Sequence, residues 1–132
     1  AQWMNAADVD FVITQPEGYE LDPQFVCDAK VEYDKKKALE GADFVYAKNW
    51  SCPGVKNPAD YGKILGKETT WTLDTEDLSW ADNAYFMHCL PVRRGLIVTD
   101  DVIESKQSLV IPEAANREIS ASVVIKRMLE CL

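Results

Sequence analysis

The stretch from Ala84 to Arg94, reading Ala-Tyr-Phe-Met-His-Cys-Leu-Pro-Val-Arg-Arg, constrains the fold more than any other part of the chain. It opens as an apolar, aromatic-rich run, the pattern of a buried strand. Pro91 stops the run, and Arg93 and Arg94 follow at once. A strand that delivers a thiol and two cations at its carboxyl end matches the ligand site of an open α/β sheet, where ligands bind beyond the strand ends.

The flanking sequence supports that class. Val9 to Thr14 predicts a strand, broken by Gln15-Pro16-Glu17-Gly18. Asp22 and Pro23 open a short helix, as cap and first residue. Tyr33 to Gly41 reads as a second helix, with Gly41 as its stop. Asp43 to Ala47 is the next strand, and Lys48 stands at its end. Residues 51–70 are rich in Gly, Pro, Asn and Lys and read as a long loop, which in a compact domain is usually functional or mobile. Thr75 to Ala81 predicts a helix capped by Thr75, and Thr99 to Glu104 another. Ser108 to Ile111 reads as a fourth strand ended by Pro112. From about Asn116 the apolar residues Ala121, Val124, Ile125, Met128 and Leu132 recur at helical spacing, the mark of an amphipathic helix. Strands alternating with helices predict one α/β domain: an open parallel sheet of about four strands with helices on both faces.

Several function classes fall away. A net charge of −8 argues against nucleic acid or an anionic membrane as partner. No apolar run approaches the roughly 18 residues that span a bilayer. The cysteines at 27, 52, 89 and 131 form no CxxC pair, and with a single His no metal cluster is expected. Neither GxGxxG nor GxxxxGK[ST] occurs, so dinucleotide and Walker-type nucleotide sites are not expected, and no Ser-centred nucleophile elbow is present. Free thiols fit a reducing cytoplasm. Asn49-Trp50-Ser51 is a chance match to a glycosylation sequon. Ala1 to Ala7 resembles the end of a helix with no start signal, so a preceding segment is expected.

Three predicted strands end on charged groups: Lys48; Cys89 with Arg93; and Glu113 with Arg117. Arg117 is expected in the first turn of the last helix, where the helix dipole disfavours a cation by roughly 0.3–1 kcal/mol. An anion between the helix start and the guanidinium reverses that penalty. The residues alone therefore point to an anion site built from Lys48, Arg93 and Arg117. Each also has a plainer reading. A lone cation after a strand is usually a solvated surface charge, Cys89 a small buried hydrophobe, and His88 a core residue with its polar atoms satisfied.

His88-Cys89-Leu90-Pro91 followed by Arg93, then Glu113-Ala114-Ala115-Asn116-Arg117 with Arg117 28 residues after Cys89, resemble the carbamoyltransferase family. The likeness runs through nearly the whole chain and is to the second, amino-acid-binding domain of an ornithine-type enzyme, a Rossmann-like unit. It implies transfer of a carbamoyl group from carbamoyl phosphate to the side-chain amine of an ornithine-type substrate, without a cofactor. It implies that Cys89 and Leu90 line the reacting centre and that Arg117 helps bind carbamoyl phosphate. It also implies a homotrimer when the enzyme is complete. The family's phosphate-gripping motifs, Ser-x-Arg-Thr and His-Pro-x-Gln, belong to the other domain and do not occur here, so residues 1–132 alone are expected to be inactive.

One departure bears on substrate. Ornithine enzymes carry Asp-x-x-x-Ser-Met-Gly after the second strand, and the Asp pairs with a free α-ammonium. This chain has Lys48-Asn49-Trp50-Ser51-Cys52-Pro53-Gly54. Lys48 repels an ammonium but suits an acylated, uncharged nitrogen beside a carboxylate. That pattern resembles the N-acylornithine branch. The acetyl type has a lysine shortly after the double arginine, where this chain has Ile97; the succinyl type is favoured, with Arg93 facing the extra carboxylate. Gly95 stands where Asn is common. Two rival readings are a binding module that kept the fold without the reaction, and an unrelated flavodoxin-like domain with a chance His-Cys-Leu-Pro.

Overall fold

The computed structural model describes residues 1–49 and 69–131. Four short strands form two parallel pairs among them. The first pair joins β1 (Val12–Thr14) to β2 (Lys30–Glu32), with Ile13 opposite Val31. The second joins β3 (Phe44–Tyr46) to β4 (Tyr85–Met87), with Val45 opposite Phe86. The chain is α/β with parallel strands, as its sequence predicts, but the pairing is in two short ribbons.

Alternation decides which face of the second pair is buried. Val45 and Phe86 point inward and are buried, whereas Phe44, Tyr46 and Tyr85 are exposed. The rings of Phe44 and Tyr85 stack on the outer face, their centroids 5.7 Å apart. Around Phe86 pack Leu39, Val98, Val102, Ile103 and Val110, which close the core from one side. Burying a side chain of that size contributes about 2 kcal/mol.

The helices follow their caps. Asp22 caps α2 (Pro23–Val26) by accepting from the Gln24 N–H at 3.0 Å, with Pro23 at the first position as predicted. Asp34 caps α3 (Lys35–Leu39), and Gly41 follows it at φ +70°, a conformation that favours glycine. The helix predicted from Thr75 is α4 (Thr75–Trp80), but its cap is Asp74. Asp74 and Asp77 accept reciprocally from each other's backbone N–H in a capping box. Thr99 precedes α5 (Asp100–Ile103) without a side-chain cap bond. A further short helix, α1 (Gln2–Ala6), opens the chain.

One strand was not anticipated and one predicted strand is corrected. Lys30-Val31-Glu32 pairs as a strand although it is short and mostly charged; its partner β1 selects it, since three residues carry no usable period. Ser108 to Ile111 is not a strand. Ser108 makes one isolated parallel bridge to Phe86, the Leu109 N–H donates to the Phe86 carbonyl at 2.8 Å, and the chain turns helical at Val110. The last helix, α6, is Val110–Glu130. Pro112 lies in its first turn, where a missing N–H removes no helical hydrogen bond.

The predicted apolar stripe of α6 does not pack on the described residues. Val110 is buried, but Ile119, Val123, Val124, Ile125, Met128 and Leu129 are exposed; Leu132 lies outside the described residues. A helix of this length runs about 30 Å, and its first turn is tied to the end of β4 by the bond from the His88 N–H to Glu113.

Candidate functional site at the carboxyl ends of β3 and β4

The β3–β4 ladder extends one bond past its strands, from the Ala47 N–H to the Met87 carbonyl at 3.0 Å. That bond brings the following residues of both strands side by side. The Lys48 ammonium lies 3.0 Å from the Cys89 sulfur. The Asn49 amide donates to the Pro91 carbonyl at 3.4 Å, across a cis Leu90–Pro91 peptide. Leu90 is 49% exposed at the mouth of this corner.

The start of α6 closes the corner through Glu113. One carboxylate oxygen accepts from the Tyr46 hydroxyl at 2.8 Å and the other from the His88 backbone N–H at 3.1 Å. Glu113 is in the first turn of α6, where the helix dipole favours an anion. Partial desolvation of its hydroxyl raises the Tyr46 phenol pKa well above its ordinary value, reinforced by the hydrogen bond to Glu113.

His88 is fully buried, as expected of a core residue. Its ring is not satisfied, however: among the described residues neither nitrogen has a partner at hydrogen-bonding geometry. Burial pushes its pKa below the usual imidazole value, with the Lys48 charge acting in the same direction. Backbone groups of Cys89 and His88 and the Glu113 charge partly oppose that shift.

The two arginines after Pro91 divide their roles. Arg94 is committed to a surface network, with Asp100 at 2.9 Å and Glu104 also in contact. Arg93 is exposed, and its guanidinium is unpaired among the described residues. Its carbonyl accepts from the Ile97 N–H at 2.9 Å, which closes a tight turn. Gly95 sits in that turn at φ +71°, a conformation that Asn also tolerates. The Ile97 side chain is 2% exposed and belongs to the core.

Arg117 is exposed on α6. It is in the third turn, not the first, because the helix begins at Val110 and not near Asn116. The dipole penalty expected of a first-turn cation does not apply, since the effect fades within one turn. Arg117 instead shares a helix face with Glu113, four residues earlier, and Glu113 ties that face to the Lys48–Cys89 corner. Of the residues singled out from sequence, Lys48 and Cys89 therefore meet directly, with Leu90 next to Cys89 along the chain. Among the described residues neither Arg93 nor Arg117 makes a hydrogen bond or ion pair to that corner; Arg93 is two residues past Pro91, and Arg117 one helical turn past Glu113. Tyr46 was not singled out from sequence, and Glu113 was named as a strand-end charge but not placed in the anion site. Tyr46 looked like an ordinary strand aromatic, whereas the Glu113-to-Arg117 spacing was the signal for Glu113. Trp50 to Gly54 lie outside the described residues. Among the described residues no group of His, Cys, Asp and Glu is arranged to hold a metal ion.

Parallel strands that end on a lysine and a thiol, closed by a helix-borne carboxylate, put a polar cluster at the edge of an α/β domain where ligands bind. Residues 1–128 match the sequence model of the aspartate/ornithine carbamoyltransferase Asp/Orn binding domain, and the chain belongs to that family. It is 66% identical over 132 residues to the N-succinylornithine carbamoyltransferase of Bacteroides thetaiotaomicron, covering all of this chain and 41% of that protein. The enzyme of the same description from Bacteroides fragilis is 65% identical over the same coverage. Among solved structures, N-acetyl-L-ornithine transcarbamylase superposes with a TM-score of 0.72 at 30% identity, over 82% of this chain and 37% of that one. The ornithine carbamoyltransferase of Pyrococcus furiosus superposes at 0.71 and 31% identity, over 82% and 38%. The chain thus spans about two fifths of the length of its curated relatives.

Proposed function

We propose that the whole protein transfers the carbamoyl group of carbamoyl phosphate to the side-chain amine of an N-acylated ornithine, with N-succinylornithine favoured. Residues 1–132 supply its amino-acid-binding domain, and the carbamoyl-phosphate domain lies elsewhere in the protein; these residues alone do not catalyse. The observation that carries the reading is the Lys48–Cys89 contact at 3.0 Å. A cation at this corner supports an acylated rather than a free α-nitrogen, because it would repel an ammonium. Two relatives at 65–66% identity bear the name N-succinylornithine carbamoyltransferase, which supports the same substrate.

The reaction needs a deprotonated amine held against the carbamoyl carbon, and cations to stabilise charge on the carbonyl oxygen and the departing phosphate. Cys89 and Leu90 position the amine, Arg117 contributes to the carbamoyl phosphate site, and Arg93 faces the succinyl carboxylate. Cys89 is a polarising group and forms no covalent intermediate. The protein works as a homotrimer in arginine biosynthesis in the cytoplasm. The described residues contain no helix long and apolar enough to cross a membrane.

The test is turnover by the protein expressed from its whole reading frame, with ornithine, N-acetylornithine and N-succinylornithine in parallel. N-Succinylornithine is expected to be carbamoylated fastest. Turnover of free ornithine alone would overturn the Lys48 reading and restore the ornithine enzyme proper; no turnover of any of the three would favour a binding module.

A further inference from the structure

β4 has a second edge, facing the chain that leads into α6. There the Phe86 N–H donates to the Gln107 carbonyl at 3.0 Å, and the Leu109 N–H to the Phe86 carbonyl at 2.8 Å. One step further along such a parallel pairing, the His88 N–H would donate to the Leu109 carbonyl. That carbonyl is instead taken by the Glu113 N–H at 2.8 Å as α6 begins. The Glu113 side chain supplies the replacement: one carboxylate oxygen accepts from the His88 N–H at 3.1 Å. The other accepts from the Tyr46 hydroxyl of β3 at 2.8 Å. One carboxylate thus grips the residue before Cys89 and the residue two before Lys48. Among the described residues the backbone ladder between β3 and β4 ends at the Ala47 N–H, short of both.

We infer that Glu113 is a positioning residue: by bridging β3, β4 and α6 past the end of the sheet, it fixes where Cys89 stands at the reacting centre. The inference rests on the reading that Cys89 and Leu90 line a carbamoyl-transfer site. Without the bridge the His88 N–H loses its partner, and Cys89 follows a backbone held only up to Met87. A displacement of about 1 Å in such a site costs on the order of 100-fold in rate. The role calls for a side chain that reaches both partners, rather than for negative charge. In Glu113→Gln the side-chain carbonyl still accepts from the His88 N–H, and the amide donates to the phenol oxygen. In Glu113→Asp the charge survives, but a side chain one methylene shorter does not span both partners.

The substitutions are made in the protein expressed from its whole reading frame, and two readouts are taken. Amide hydrogen exchange, resolved to single residues by mass-spectrometric fragmentation, reports the bridge without substrate. The His88 amide is expected to exchange about 100-fold faster in Glu113→Ala and Glu113→Asp, and within about threefold of the parent in Glu113→Gln. Amides of β1 and β2 keep their protection in every variant. Steady-state turnover of N-succinylornithine reports the consequence. There kcat falls about 100-fold in the Ala and Asp variants with KM within about threefold, and stays within about fivefold of the parent in Glu113→Gln. An Asp variant that outperforms the Gln variant would overturn the inference, since charge and not reach would then matter. So would unchanged His88 exchange in Glu113→Ala, or equal loosening of β1 and β2, which would make Glu113 a support of the whole fold. Faster His88 exchange with kcat unchanged would leave the bridge without a positioning role and end the inference as well. If Glu113→Ala fails to fold, the comparison of Asp with Gln decides alone. No turnover by the parent would sink the carbamoyl-transfer reading, while the expected exchange pattern would still support Glu113 as the residue that holds the backbone before Cys89.

Discussion

Lys35 and Lys48 make two polar clusters that differ in what they leave open. Lys35 lies on α3, and its ammonium reaches the Asp77 carboxylate at 2.6 Å and the Thr70 carbonyl at 2.7 Å. The two side chains are only 18% and 4% exposed, and the ammonium lies 6.0 Å from the centre of the Trp80 ring. Asp77 also completes the cap of α4. Lys48 has a sulfur for its partner and is exposed. The first cluster satisfies its charges internally and joins α3 to α4. The second leaves donor capacity facing outward. A buried pair holds elements together, whereas an open cluster at strand ends is available to a ligand.

That contrast breaks most sharply at Asp77. Asp77→Ala strands the Lys35 ammonium and opens the α4 cap, and is expected to lower folding stability by about 3 kcal/mol or more. Urea denaturation of the protein expressed from its whole reading frame measures it. A loss below about 1 kcal/mol would place Lys35–Asp77 among ordinary surface pairs. Lys48→Ala is the converse: stability should stay within about 0.5 kcal/mol, while N-succinylornithine turnover falls about 100-fold. Equal unfolding midpoints with unchanged turnover would remove Lys48 from the site.

The arginine pair sharpens the same distinction on a smaller scale. Arg93→Ala should raise KM for N-succinylornithine about tenfold by removing a charge-assisted contact, with N-acetylornithine nearly unaffected. Equal losses for both substrates would refute the succinyl role. Arg94→Ala removes only the exposed contacts to Asp100 and Glu104, so stability should drop by less than about 1 kcal/mol and KM should hold.

Much of this was legible before any coordinates. The aromatic run into His88-Cys89-Leu90-Pro91 announced a buried strand with chemistry at its end, and Phe86 and Cys89 occupy those places. Asp22 with Pro23, and Gly41, marked helix ends by local rules that need no partner. Other features were hidden because their causes are distant in sequence. Lys30–Glu32 is a strand only because β1 is beside it. Val110 and Ile111 favour a strand by composition, yet residues 107–109 already bond to Phe86 and the chain turns away as a helix. Thr75 and Asp74 are both good caps, and the choice fell to Asp74 because Asp77 could answer it. That shift also moved Asp77 into reach of Lys35.

By itself the sequence determined the α/β class, the residues at the strand ends and the family. These follow from patterns read along the chain: hydrophobic period, breakers, and a cysteine and an arginine at fixed spacing. Only the tertiary structure decided that Lys48 touches Cys89, that Arg94 is occupied while Arg93 is not, and that Glu113 joins Tyr46 to the backbone before the thiol. Those relations span 41 to 67 residues for Lys48 and Tyr46. Side-chain spacing cannot express them, because the parallel register of β3 and β4 and the position where α6 begins set the distances.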